Sequence, residues 1–142
     1  MTVKEKQEEF IADFSEFDDW LQRYEYIIDL GRKMPVMDEK YKIEENKIHG
    51  CQSTVWLYAE YKDGKILFSA ESNSDITKGI VSIFVSVYSD HTPLEILNAD
   101  DKFVETIGLQ NYLSGQRSNG IAAMLKQIKL YALAYQAKSL QS

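Results

Sequence analysis

Apolar positions recur with a helical period over residues 5–34, where Phe10 and Phe14 stand four apart and Trp20, Tyr24, Ile27, Ile28 and Gly31 continue at spacings of three and four. The polar stretch from Ser15 to Asp19 predicts a break into two helices. Gly31 and Pro35 close the second, since a glycine suits a helix end and a proline cannot extend it. The period then drops to two. Residues 41–47 predict a short edge strand, and residues 51–62 and 65–72 predict longer strands around Asp63-Gly64, a pair suited to a two-residue hairpin turn. In the first long strand Thr54, Trp56, Tyr58 and Glu60 share one side, and Val55, Leu57, Ala59 and Tyr61 share the other. Both sets are largely apolar, so helices are expected to cover part of the second face as well.

Residues 76–88 are rich in Ile and Val, yet their period is helical: Ile76, Ile80, Ile83, Phe84, Val87 and Tyr88 form one stripe behind the N-cap candidates Ser74 and Asp75. Thr92-Pro93-Leu94-Glu95 combines a cap, a first-turn proline and an N3 glutamate, opening a short helix. A second short helix is expected over 100–107, ended by Gly108. Ser118 and Asn119 can cap a long last helix with the stripe Ile121, Met124, Leu125, Ile128, Ala132 and Tyr135. Helices, then a hairpin, then helices predict an α+β fold, a small antiparallel sheet packed on one side by helices.

A chain of 142 residues fits one domain, expected over residues 1–142, and 44% hydrophobic with 27% charged residues is ordinary globular composition. The net charge of -6 argues against nucleic acid, whose binders draw affinity from clustered Lys and Arg. The first nine residues are charged and lack the apolar core of a signal peptide, and no later window is apolar enough to span a bilayer. One cysteine cannot form an internal disulfide, and a free thiol persists best in a reducing compartment, so a cytoplasmic location is expected.

That cysteine carries the main chemical signal. Cys51 sits in Asn46-Lys47-Ile48-His49-Gly50-Cys51-Gln52-Ser53-Thr54-Val55-Trp56, where a small polar turn enters an apolar alternating stretch. A space-filling cysteine usually sits within an apolar run; here a glycine precedes it and two polar residues follow. His49 would share its side of the chain only if Gly50 does not turn the backbone. Spacing alone leaves Cys51 either reactive or inert, because exposure and pKa decide.

Other chemistries are less well supplied. A structural zinc needs four ligands, and one Cys with His49 and His91 falls short unless carboxylates join. Cys51, His91 and Asn73 or Asn119 could be arranged as a hydrolase triad, but no local signature supports one. The glycines form neither a dinucleotide fingerprint nor a phosphate loop. Residues 113–120 are either a plain loop with a helix cap or, through Arg117 and the free N–H groups of a helix start, a spot able to hold an anion or thiolate.

Several segments together resemble the SufE family, sulfur acceptors that work with cysteine desulfurases in iron–sulfur cluster assembly. They are Trp20-Leu21-Gln22-Arg23-Tyr24 with Ile27-Ile28-Asp29-Leu30-Gly31 and Pro35, the cysteine segment above, Asp75-Ile76-Thr77-Lys78-Gly79, Thr92-Pro93-Leu94-Glu95-Ile96-Leu97, and Arg117-Ser118-Asn119-Gly120-Ile121. The resemblance implies a SufE/NifU-like α+β fold and names Cys51 as the residue that takes persulfide sulfur from a SufS-like desulfurase. It implies stimulation of that desulfurase, and transfer of the sulfur to a SufBCD-like scaffold. Gly50, Gln52 and Ser53 match its cysteine loop and Arg117 its Arg-Ser-x-Gly segment, so these are the expected supporting residues. His49 stands where the family motif is loose. Sulfur exchange between persulfides needs no metal or organic cofactor, and none is expected. A monomer or homodimer is compatible with the resemblance. Because an exposed persulfide oxidises readily, residues 50–53 are expected to tuck Cys51 in at rest and swing out on docking. The alternative is an interaction module that activates a desulfurase without carrying sulfur.

Overall fold

The computed structural model describes residues 1–112 and 115–141; the side chains of residues 115–118 and 141 lie outside the described set. Two helices open the chain, α1 (Val3–Ser15) and α2 (Trp20–Lys33). The break between them falls where the polar stretch predicts it. α1 starts two residues before the expected boundary because Thr2 and Glu5 form a reciprocal capping box. Asp19 caps α2 through the Gln22 N–H, and Arg32 and Lys33 lie in its last turn, where positive charge suits the helix dipole.

The hairpin consists of β1 (Val55–Lys62) and β2 (Lys65–Ser72), paired antiparallel from Val55 opposite Ser72 to Lys62 opposite Lys65. Its turn is the Asp63-Gly64 pair, both with left-handed φ, 54° and 81°, the conformation a tight hairpin turn requires. Val55, Leu57 and Ala59 are buried with Ile66, Phe68 and Ala70, and this face joins the core.

Two strand expectations need correction. Residues 41–47 do not form an edge strand; they are built around 3-10 turns at Glu39–Tyr41 and Glu44–Asn46. Asp38 accepts the Lys40 N–H and the Asn46 side chain donates to the Tyr41 carbonyl, so local polar bonds take the backbone that a ladder would need. Only Lys47 pairs with the sheet, as an isolated bridge to Trp56. The Tyr41 ring stacks on Tyr58, centroids 3.8 Å apart, so this segment covers the second face where helices were expected. The first long strand begins at Val55 and not at Cys51, because Gly50 has φ 94° and turns the chain.

Next come α3 (Asp75–Tyr88), α4 (Pro93–Leu97), α5 (Phe103–Ile107) and α6 (Gly115–Gln141). Ser74 caps α3, and its predicted stripe from Ile76 to Tyr88 is buried throughout. Thr92 and Glu95 form the expected capping box at α4. α5 is shorter than expected: Asp100 uses its carboxylate on the Lys102 N–H and stays outside the helix, while Gly108 ends it with φ 80°. α6 begins at Gly115, so Asn119 lies inside it and is not its cap; the Ser118 side chain is outside the described residues.

α2 and α3 cross at glycines. A Cβ on Gly79 would come within 2.1 Å of the Ile27 carbonyl oxygen, and one on Gly31 within 2.8 Å of the Gly79 nitrogen. Gly31, expected only to close α2, thus lets two backbones meet. α6 runs past the hairpin, and its Tyr131 and Tyr135 hydroxyls donate to the Leu57 and Ala59 carbonyls at 3.2 Å. Those carbonyls point away from β2, as the Val55 carbonyl does in accepting the Ile48 N–H, so tyrosines from α6 occupy part of the edge of β1. His91 is buried, pairs with Ile66 as a bridge and bonds the Met1 carbonyl through Nε2 at 2.9 Å.

Candidate functional site

The loop that carries Cys51 is closed at its base by the Ile48 N–H donating to the Val55 carbonyl at 2.8 Å. Ile48 is buried and anchors one end in the core. At the other end Thr54 and Asn73 exchange two hydrogen bonds: the Thr54 N–H to Asn73 Oδ1 at 3.1 Å, and the Asn73 N–H to the Thr54 carbonyl at 3.3 Å. Ser72 Oγ accepts the Ser74 N–H just beyond, so the loop is tied to the start of α3. Between these ties only Gly50 takes a left-handed φ, and that turn directs the following cysteine toward α6.

Cys51 is half-buried and packs against the core. Its thiol is directed at the Gly120 carbonyl, Sγ to O 3.8 Å, a weak S–H donation. Burial pushes the thiol pKa up. Burial of this kind disfavours the thiolate, the form that attacks. At rest the sulfur is therefore held as a thiol.

His49 is exposed, and the turn at Gly50 removes the extended geometry that would have put it beside Cys51. It lies near Glu44, whose carboxyl is held below its ordinary value chiefly by the Lys47 ammonium at 3.0 Å. Gln52 is exposed and Ser53 half-buried in the same loop. Arg117 is carried on α6, but its side chain lies outside the described residues. Sequence reasoning named Gly120 only within a polar patch and a family segment, and Asn73 only as a triad candidate; it gave neither its part in holding the cysteine loop. A glycine inside a helical pattern, three residues before Ala123 on a face leading into the core, was the available signal for the first.

A cavity of about 190 Å³ lies along this loop, lined among others by Glu44, Lys47, His49, Cys51 and Ser53. That is below the roughly 300 Å³ at which pockets for drug-sized organic ligands begin. A groove of about 650 Å³ between α1 and the α4–α5 region is lined by none of the loop residues. Among the described residues no three His, Cys, Asp or Glu side chains converge in a group able to hold a metal ion, and no helix is long and apolar enough to cross a membrane.

Known proteins resemble this chain over most of its length. Residues 8–132 match the family model SufE, described as an Fe-S metabolism associated domain. An uncharacterized SufE-like protein of Rhizobium meliloti is 38% identical over 128 residues, covering 86% of this chain and 91% of the relative. The cysteine desulfuration protein SufE of Wigglesworthia glossinidia brevipalpis is 38% identical over 126 residues, covering 87% of this chain and 88% of that one. The solution structure of a hypothetical protein from Thermus thermophilus superposes with a TM-score of 0.69 over 96% of this chain and 97% of its own, at 19% identity, a likeness of fold. With α+β architecture, the family match and these relatives in agreement, the chain belongs to the SufE family of iron–sulfur metabolism associated domains.

Proposed function

We propose that this protein accepts sulfur from a cysteine desulfurase onto Cys51 and delivers it to an iron–sulfur cluster scaffold. The observation that carries the reading is the placement of the single cysteine: on a loop tied at both ends, with its thiol against a glycine of α6. The name of the Wigglesworthia relative, a desulfuration protein, supports the same chemistry. A SufS-like donor and a SufBCD-like acceptor are the partners this reading calls for, in the cytoplasm.

The transfer conserves atoms and electrons. The Cys51 thiol first loses its proton to solvent or to a base on the docked partner. The thiolate then attacks the terminal sulfur of the desulfurase persulfide, a new sulfur–sulfur bond forms at Cys51, and the old one breaks to release the donor cysteine as its thiolate. Attack by an acceptor thiolate on the outer sulfur of Cys51 repeats the exchange and restores the starting thiol. No net oxidation occurs, so no redox cofactor takes part.

Because the resting thiol is half-buried with a raised pKa, the loop must open before the exchange. Gly50 supplies the freedom of the hinge, and the desulfurase surface supplies the setting in which the thiolate forms. A desulfurase turnover assay separates this reading from that of a non-carrying activator. Wild-type protein should accelerate alanine release, and Cys51→Ser should abolish the acceleration. Full acceleration by Cys51→Ser would establish the activator reading instead.

A further inference from the structure

Gly120 lies within α6, where glycine is a poorer helix former than alanine. Its backbone is also the surface on which the Cys51 sulfur rests. A Cβ built on Gly120 would fall 2.9 Å from Cys51 Sγ and 3.4 Å from both the Cα and the Cβ of Cys51. The first distance is closer than real side chains approach, whereas the other two are at the edge of ordinary contact. The conflict is therefore centred on the sulfur. Ala123, one turn further along α6, continues this small-residue surface and would touch a Cβ on Gly50 at 3.7 Å. The cysteine loop thus meets α6 where it has least side chain to offer.

We propose that Gly120 is a positioning residue for Cys51: the side chain it lacks is the seat of the resting thiol, and the depth of that seat sets how readily the sulfur leaves it. The inference rests on the sulfur-carrier reading for its biological meaning, but its physical content concerns the free protein alone. With the seat present, Sγ is half-buried and its S–H meets the Gly120 carbonyl. With a methyl in the seat, Sγ must swing toward solvent or the loop must lift from α6. Either movement removes the burial that disfavours the thiolate. Gly120 would then guard the thiol between deliveries, leaving a desulfurase to extract it.

The test measures alkylation of Cys51 by iodoacetamide across pH in wild type and Gly120→Ala, without any partner. The variant should react at least tenfold faster near neutral pH, with its rate profile shifted to lower pH. A structural defect elsewhere would leave that profile in place. A stability cycle covers the case in which the variant folds poorly. Gly120→Ala should lower or barely change the melting temperature when Cys51 is present, and raise it in a Cys51→Ala background, where the Sγ conflict is gone and the helix preference for alanine remains. Equal shifts in both backgrounds, or alkylation rates and profiles within twofold of wild type, would overturn the proposal. Failure of sulfur loading from a desulfurase would sink the carrier reading and leave this seat standing.

Discussion

Asn73 holds Thr54 with two reciprocal hydrogen bonds, side chain to backbone and backbone to backbone, which fasten the outgoing end of the cysteine loop to the junction of β2 and α3. The junction is itself constrained, since Ser74 caps α3 and Glu71 pairs with Lys78 at 3.2 Å. These bonds join the loop directly to the helix start.

Asn73→Ala removes the side-chain half of this clasp. Asn73 is exposed, so the global cost should be small, about 1 kcal/mol, the usual net value of a hydrogen bond. Accessibility of Cys51 should change more than stability, with alkylation several-fold faster. Chemical denaturation and thiol labelling on the same sample check both. A stability loss with no change in labelling would mean that the clasp does not hold the loop.

The crossing of α2 and α3 makes a sharper demand. Gly79→Ala forces a methyl against the Ile27 carbonyl and should destabilise by about 3 kcal/mol, the upper end for overpacking a core. Gly64→Ala has open space around it but a left-handed φ of 81°, and should cost only about 1 kcal/mol through backbone strain. Urea midpoints of the two variants test the order.

The pH dependence of Cys51 follows from its burial. Alkylation proceeds through the thiolate, so the rate for folded protein should keep climbing beyond pH about 8.5, where an ordinary thiol titrates, while guanidinium-unfolded protein should inflect there. The folded pKa lies above the unfolded one. The stability linked to this group is thus fully present below the unfolded pKa and is lost as pH rises from there through the folded value. Labelling rates at stepped pH check the order of the two inflections. A folded inflection at or below the unfolded one would contradict the buried resting thiol.

What could be read directly from the chain was local. Asp63-Gly64, the Ser74 cap with its buried stripe, and the Thr92–Glu95 box each depend on neighbours within a few residues, and each appears as expected. Residues 41–47 could not be read the same way, because Tyr41 is placed by stacking on Tyr58 and the backbone around it by bonds from Asp38 and Asn46. The glycines were hardest to interpret. The meaning of an absent side chain at Gly79 or Gly120 lies in what approaches it, Ile27 in one case and Cys51 in the other, and both partners are remote in sequence. For the site, spacing left Cys51 undecided; the ordered family segments singled it out, and the fold showed a backbone turn at Gly50 between it and His49.

The central claim is that Cys51 carries sulfur, and intact mass measurement of the protein after incubation with a cysteine desulfurase and free cysteine tests it most directly. The account predicts a gain of one sulfur atom, removable by a thiol reductant and absent in Cys51→Ser. An unchanged mass for wild-type protein under conditions in which the desulfurase itself becomes persulfidated, or an equal gain in Cys51→Ser, would contradict it.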